Sequence, residues 1–302
     1  MKLWRDMPQR LVENLPIWRI VFIVFLAFDI AISSILPDSV QSSNPAPAVM
    51  LFAVFVASLF LLTCDFMRRI SSGHNQLQPV SPLPSSVARW KVALYRVCLP
   101  FTRYIAFFIV WLALSGGFSA LIDQLLPSFS SDQNIGFSDV NIWGAAGIAF
   151  LGCLEEYWRW SMIITVLLLV KWIFRRQWER SRKLRNAGFV LAILISSLVF
   201  GMAHYQEFSH YKSLSYIVLG TMGLLLALAA IITRRFLVAV ALHYVYDLLA
   251  ISNGFDFLQI YLLVIAAILA IVVFPTFGLL LRSVRPALRG WQMAIPNTHE
   301  HQ

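Results

Sequence analysis

What most constrains this chain is the recurrence of apolar stretches about as long as a bilayer is thick, each closed by a short polar or basic break. A helix rises ~1.5 Å per residue and needs ~20 apolar residues to cross a hydrocarbon core. Segments of that kind run over Ile17–Leu36, Ala48–Phe66, Tyr104–Leu126, Ile142–Phe174, Ala187–Phe208, Leu214–Ile232, Phe236–Ile251 and Phe257–Leu281. A soluble fold covers its core with charge, about a quarter of all residues. Here 13% of 302 residues are charged, 59% are hydrophobic and the mean hydropathy is +0.73. The expected fold is therefore all-α, a polytopic transmembrane helical bundle of about eight spans. It forms a single membrane domain over residues 1–302.

The breaks alternate in charge. Lys2, Arg5, Arg10 and Arg19 precede or open span 1, while the loop after it, PDSVQSSNPAP, has no base. Arg68 and Arg69 follow span 2, the run RRQWERSRKLR follows span 4, Arg234 and Arg235 follow span 6, and Arg282, Arg285 and Arg289 follow span 8. Loops after the odd-numbered spans carry acids or nothing. By the retention of Lys and Arg on the inner side, both termini are predicted to be cytoplasmic, in a multi-pass protein of the cell membrane. The net charge of +9 then belongs to membrane loops, and lipid rather than nucleic acid is the expected partner. The opening segment MKLWRDMPQRLVENLPIWRI is basic and amphipathic and lacks a small-residue cleavage site, so span 1 is expected to be retained. Residues 71–86 read as a polar loop and SVARWKVALYRV as an interfacial helix or a snorkelling start of span 3.

Against these clean spans the ionisable residues stand out. Span 4 reads IWGAAGIAFLGC, then LEEYWRW, then SMIITVLLLVKWIF. Neither apolar half reaches the ~20 residues of a crossing, so Glu155, Glu156 and Arg159 lie within the span unless both halves are re-entrant. Each charge at mid-membrane costs ~2.5–3.5 kcal/mol on insertion scales, which makes an unrewarded cluster improbable. Glu155 and Arg159 are four apart on one face and can pair, while Glu156 points about 100° away. Span 5 ends SSLVFGMAHYQEF, bringing His204, and span 7 reads FLVAVALHYVYDLLA, with His243 and Asp247 four apart. Taken singly, each could be a structural ion pair or a satisfied core histidine. At ~1.5 Å per residue, Glu155 lies ~24 Å from Lys171 and His204 ~27 Å from Asn186, but His243 only ~12 Å from Arg235. That mismatch requires a tilted or shortened span 7, or a basic flank drawn into a wet cavity. The cysteines Cys64, Cys98 and Cys153 show neither disulfide nor metal spacing, although Cys153 lies close enough to Glu155 for a Cys–His nucleophile to be considered.

Two carboxylates and two imidazoles hold no strong nucleophile, but they can activate water. A desolvated glutamate is a competent general base, and an imidazole oriented by Asp can polarise a carbonyl or stabilise an oxyanion. Peptide hydrolysis is a natural use of the set; a proton relay in a coupled transporter is another.

At these residues the chain resembles the CPBP family (CAAX proteases and bacteriocin-processing enzymes, also called Abi). That family carries Glu-Glu-x-x-x-Arg, Phe-x-x-x-His and His-x-x-x-Asn/Asp on successive core spans. Phe200 to His204 matches the second motif and His243 to Asp247 the third, with TRRFLVAVALHYVYD and LGTMGLLLALAAIITRR in similar contexts. The first motif departs: one residue too few separates the glutamates from Arg159. Either the glutamates align and Arg159 is displaced, or Arg159 aligns, Glu155 becomes the second glutamate and Leu154 takes the place of the first.

The resemblance covers Ile142 to Ile251 and implies an intramembrane glutamic endopeptidase of membrane-associated peptides or proteins. It implies a motif-one glutamate as base, Arg159 positioning it, His204 assisting at the water, and His243 with Asp247 forming the oxyanion site. No cofactor is implied. No metal is expected either, since no His-Glu-x-x-His helix is present. The alternatives are a catalytically impaired family member acting as an immunity or accessory protein, and the coupled transporter.

Overall fold

A computed structural model of the chain describes residues 6–33, 62–63, 65–67, 69–70, 107–118, 120–126, 141–205 and 208–251. The regular elements among them are helices: α1 (Met7–Val12), α2 (Ile17–Ser33), α3 (Phe107–Leu125), α4 (Ile142–Cys153), α5 (Glu155–Ile173), α6 (Arg175–Arg180), α7 (Arg182–Ala203), α8 (Lys212–Thr233) and α9 (Phe236–Ile251). Three of them, α3, α7 and α8, are long and apolar enough to cross a membrane. Span 8, most of span 2, the loop at 71–86 and the amphipathic stretch after it lie outside the described residues.

The helices bury one apolar face and expose another, as lipid-facing helices do. On α7, Phe189, Ala192, Ile193, Ser196 and Phe200 face inward, while Val190, Leu191, Leu194 and Leu198 form an exposed stripe. Ile109, Val110 and Leu114 on α3 and Ile217 and Ile232 on α8 are likewise exposed. Apolar area on that scale at a surface calls for lipid, because water penalises it by roughly 25 cal/mol per Å².

Helices α7 and α8 form an antiparallel hairpin drawn together by glycine. A Cβ on Gly201 would run into the Tyr216 carbonyl and come within 2.9 Å of the Gly220 nitrogen, and one on Gly220 would lie 3.0 Å from the Ser197 oxygen. Lipid provides no hydrophobic drive between helices, so close backbone approach at small residues is what holds such a pair. The same device joins α4 to α9, where Ala145 and Ala149 pack against Leu248.

The structure departs from the predicted single helix over Ile142–Phe174. The Leu154 N–H turns to the carbonyls of Leu151 and Gly152 instead of continuing the helical ladder, and α5 starts afresh at Glu155. Span 4 is thus two helices, α4 packed on α9 and α5 packed on α2 and α7. The basic run that follows, read from the sequence only as an inner-side break, is largely helical: α6 is pinned by fully buried Trp178, and Arg185 donates to the Trp178 carbonyl at 2.6 Å.

On the other side of α5 the amphipathic opening segment forms α1, with Met7, Leu11 and Val12 buried. Its last carbonyls need donors, as every helix C-terminus does. Arg69 supplies them, donating to Arg10 O at 2.8 Å and Glu13 O at 2.7 Å. Buried Asp65 holds that arginine at 2.7 Å and Arg19 at 2.6 Å, tying α1 and α2 to the end of span 2.

Candidate active site

The break at Leu154 decides where the span-4 acids sit. Both Glu155 and Glu156 fall in the first turn of α5. Helix N-termini carry unsatisfied N–H groups and a partial positive charge, so carboxylates are stabilised there. Successive residues project ~100° apart, and the two acids accordingly meet different partners.

Glu156 turns inward. Its Oε1 accepts from Arg159 Nη1 and lies 3.1 Å from His243 Nδ1. Arg159 also donates from Nη2 to the Gly223 carbonyl of α8, and its guanidinium lies 4.8 Å over the Phe200 ring. Glu156 is 0% exposed and Arg159 1%. The expected Glu155–Arg159 pairing is therefore corrected: Arg159 pairs with Glu156, because neighbours three apart share a helix face just as those four apart do. With one residue fewer than the family's spacing, the arginine still reaches Glu156, and Leu154 occupies the helix break.

Glu155 turns the other way, towards His204, which caps the C-terminal end of α7. The two side chains are 31% and 18% exposed, and Glu155 Oε2 lies 3.3 Å from His204 Nε2 without hydrogen-bond alignment. On α9, His243 is bracketed: Nδ1 faces Glu156, and Nε2 is 3.5 Å from Asp247 Oδ1. A neutral imidazole can donate to only one of these carboxylates, whereas the imidazolium donates to both.

The six predicted residues are thus gathered at one place from three segments of the chain. The short reach of span 7 has a structural answer. Helix α9 has only 16 residues, and its first, Phe236, already lies 4.7 Å from the ring of Tyr157, next to Glu156. The turn before it is drawn inward, with Arg234 buried in a left-handed conformation at φ 55°.

Some contributors were not singled out by the sequence. Phe200, read only as part of a motif, is the packing centre: its ring lies 4.7 Å from His204, 5.6 Å from His243 and 6.4 Å from Trp158. Gly152 leaves room for Asp247, whose carboxylate occupies the space a Cβ would take. Gly223 is similar, since a Cβ there would meet Phe200 at 3.0 Å and Arg159 at 3.2 Å. The signal for both was a glycine on an apolar helix, which gives no hint of the distant neighbour. Ser196 on α7 donates to the Arg159 carbonyl at 3.1 Å, joining the two helices. Cys153 is buried, and its thiol donates to the Phe150 carbonyl of its own helix at 3.1 Å. Among the described residues no three His, Cys, Asp or Glu side chains are grouped to hold a metal ion.

Such an arrangement pairs a partly exposed carboxylate and imidazole with a buried charged lattice behind them. The chemistry open to it is proton transfer to and from a small molecule, water above all, next to a group that can meet negative charge. No curated protein and no solved structure matches the chain. Residues 140–249 match the family model described as type II CAAX prenyl endopeptidase Rce1-like, which is the CPBP family of CAAX proteases that the motifs resemble.

Proposed function

We propose that the protein is an intramembrane endopeptidase that hydrolyses a peptide bond in membrane-associated peptides or proteins through water activated by Glu155. The observation that carries this reading is the division of labour between the two glutamates. Glu155 is partly open and faces His204 at 3.3 Å, whereas Glu156 is closed off and engaged by Arg159 and His243. Glu155 keeps an exposed side at which a water could be received, and Glu156 has none.

In this mechanism Glu155 takes a proton from a water steadied by His204 as the water oxygen attacks the scissile carbonyl carbon. The developing oxyanion is met by the Nε2–H of His243 as the partly exposed Asp247 carboxylate swings aside, while Nδ1 stays on Glu156 and keeps the ring in place. The proton on Glu155 passes to the leaving nitrogen as the C–N bond breaks, giving a new carboxylate and a free amine. Arg159 and Glu156 do not touch the substrate in this scheme; they fix His243 and the start of α5. The wider reading is an eight-span bundle in the cell membrane with both termini cytoplasmic, which the alternation of basic loops supports.

Purified full-length protein incubated with a panel of prenylated and unprenylated membrane-anchored peptides provides the test. Cleavage by the parent, and its loss in Glu155→Gln and His204→Ala with thermal unfolding unchanged, is the expected result. Undiminished cleavage by Glu155→Gln refutes the assignment of the base. The absence of any product from the parent, with every peptide, refutes the peptidase reading and favours an impaired family member.

A further inference from the structure

The basic run between span 4 and span 5 does more than mark a side of the membrane. Helix α6 and the first turn of α7 border a shallow, open cleft of about 520 Å³, lined by Arg176, Gln177, Arg180, Ser181, Arg182 and Lys183. Four of the six lining residues are cations and none is an acid. Nor does any of the four take part in an ion pair among the described residues, although Glu179 is exposed on the same short helix. Like charges gathered on neighbouring turns repel, and the backbone that carries them is held in place. Trp178 anchors α6 in the core, and Arg185 ties the carbonyls of Trp178 and Glu179 to α7. Cations gathered on a fixed backbone without an acidic partner favour the approach of an anion.

The surroundings specify which anion. Directly before the cleft, the end of α5 exposes Trp172 at 77% and Ile173 at 56%, and the capping residue Phe174 is exposed at 41%. Such large apolar side chains face lipid, and tryptophan beside basic residues marks the membrane interface. One ligand can satisfy both halves, with an anionic headgroup in the cleft and acyl chains along the apolar turn. A soluble phosphate would leave the apolar half unused.

We propose that this cleft is a binding site for an anionic phospholipid. It lies at the opposite end of α5 and α7 from Glu155 and His204, so it is separate from the candidate active site and stands whether or not the peptidase reading does. Bound there, the lipid bridges the end of α5 to the start of α7 and fixes the helix pair that carries the two residues.

The experiment uses the full chain reconstituted in phosphatidylcholine bilayers containing a minor share of phosphatidylglycerol. Native mass spectrometry then counts the lipids of each class that stay with the released protein. The parent should retain phosphatidylglycerol in preference to phosphatidylcholine. The triple variant Arg176→Gln, Arg180→Gln, Lys183→Gln changes only exposed side chains and should unfold at the parent's temperature. Its phosphatidylglycerol affinity should fall by about a hundredfold, on the scale of three interfacial cations, with phosphatidylcholine retention unchanged. A control removes equal charge elsewhere, through Arg282→Gln, Arg285→Gln and Arg289→Gln, and should keep the preference. Equal phosphatidylglycerol retention by the cleft variant overturns the proposal, and so does equal loss in the control. A third arm adds inorganic phosphate alone; if it displaces the retained phosphatidylglycerol from the parent, the cleft takes a soluble anion and the lipid assignment fails.

Discussion

Replacing Arg159 with methionine isolates what the sealed lattice contributes. The methionine keeps the unbranched stem and apolar bulk but removes the guanidinium. Three contacts go with it: the pair with Glu156, the hydrogen bond to the Gly223 carbonyl and the stacking on Phe200. The first dominates. Glu156 is 0% exposed, so its charge is left in the core with only His243 at 3.1 Å beside it. Removing one partner of a buried ion pair costs about 3–5 kcal/mol, because the survivor keeps its desolvation penalty and loses its compensation. Unfolding free energy measured in mixed detergent micelles should fall by that amount. Adding Glu156→Gln to the same chain removes the stranded charge, and the double variant should be more stable than Arg159→Met alone. Arg159→Lys should recover only part of the loss, since an ammonium cannot serve the carboxylate, the carbonyl and the ring from one plane. Parent-like stability of Arg159→Met, or a double variant that simply sums the two single losses, would falsify the claim that this pair is buried and mutually dependent.

Three further outcomes are expected. Gly152→Ala puts a methyl group where the Asp247 carboxylate sits, so cleavage should drop at least about tenfold; in an Asp247→Ala background the same change should cost nothing more. Gly201→Ala forces α7 from the Tyr216 backbone and should lower stability by about 1–3 kcal/mol in the same micelle assay. Asp65→Asn weakens the hold on Arg19 and Arg69, and should lower stability by about 1–3 kcal/mol. Hydrogen exchange at residues 7–12 should rise in that variant while peptide cleavage per folded molecule is kept; unchanged exchange there would refute the anchoring role given to Arg69.

Much of this protein was legible before any coordinates. Composition alone selects lipid as solvent, because 13% charged residues cannot cover a water-facing surface of this size. Span lengths located α8 and α9 within two residues, since in hydrocarbon every backbone group must be paired inside its own helix. The high cost of intramembrane charge singled out Glu155, Glu156, Arg159, His204, His243 and Asp247, and the structure brings these six together.

Tertiary structure alone decided which of them meet. Helical spacing says which residues share a face, but three-apart and four-apart neighbours are both adjacent, so it could not assign Arg159 to Glu156 rather than Glu155. Nor could it register the turn at Leu154, where one amide chooses nearer carbonyls and lifts both glutamates from mid-helix to a helix start. Periodicity records what a helix would bury; a break within an apolar run leaves that pattern intact. The separation of an open Glu155–His204 pair from a closed Glu156–Arg159–His243 set comes from how α5, α7, α8 and α9 pack, through contacts far apart in sequence that no local spacing encodes.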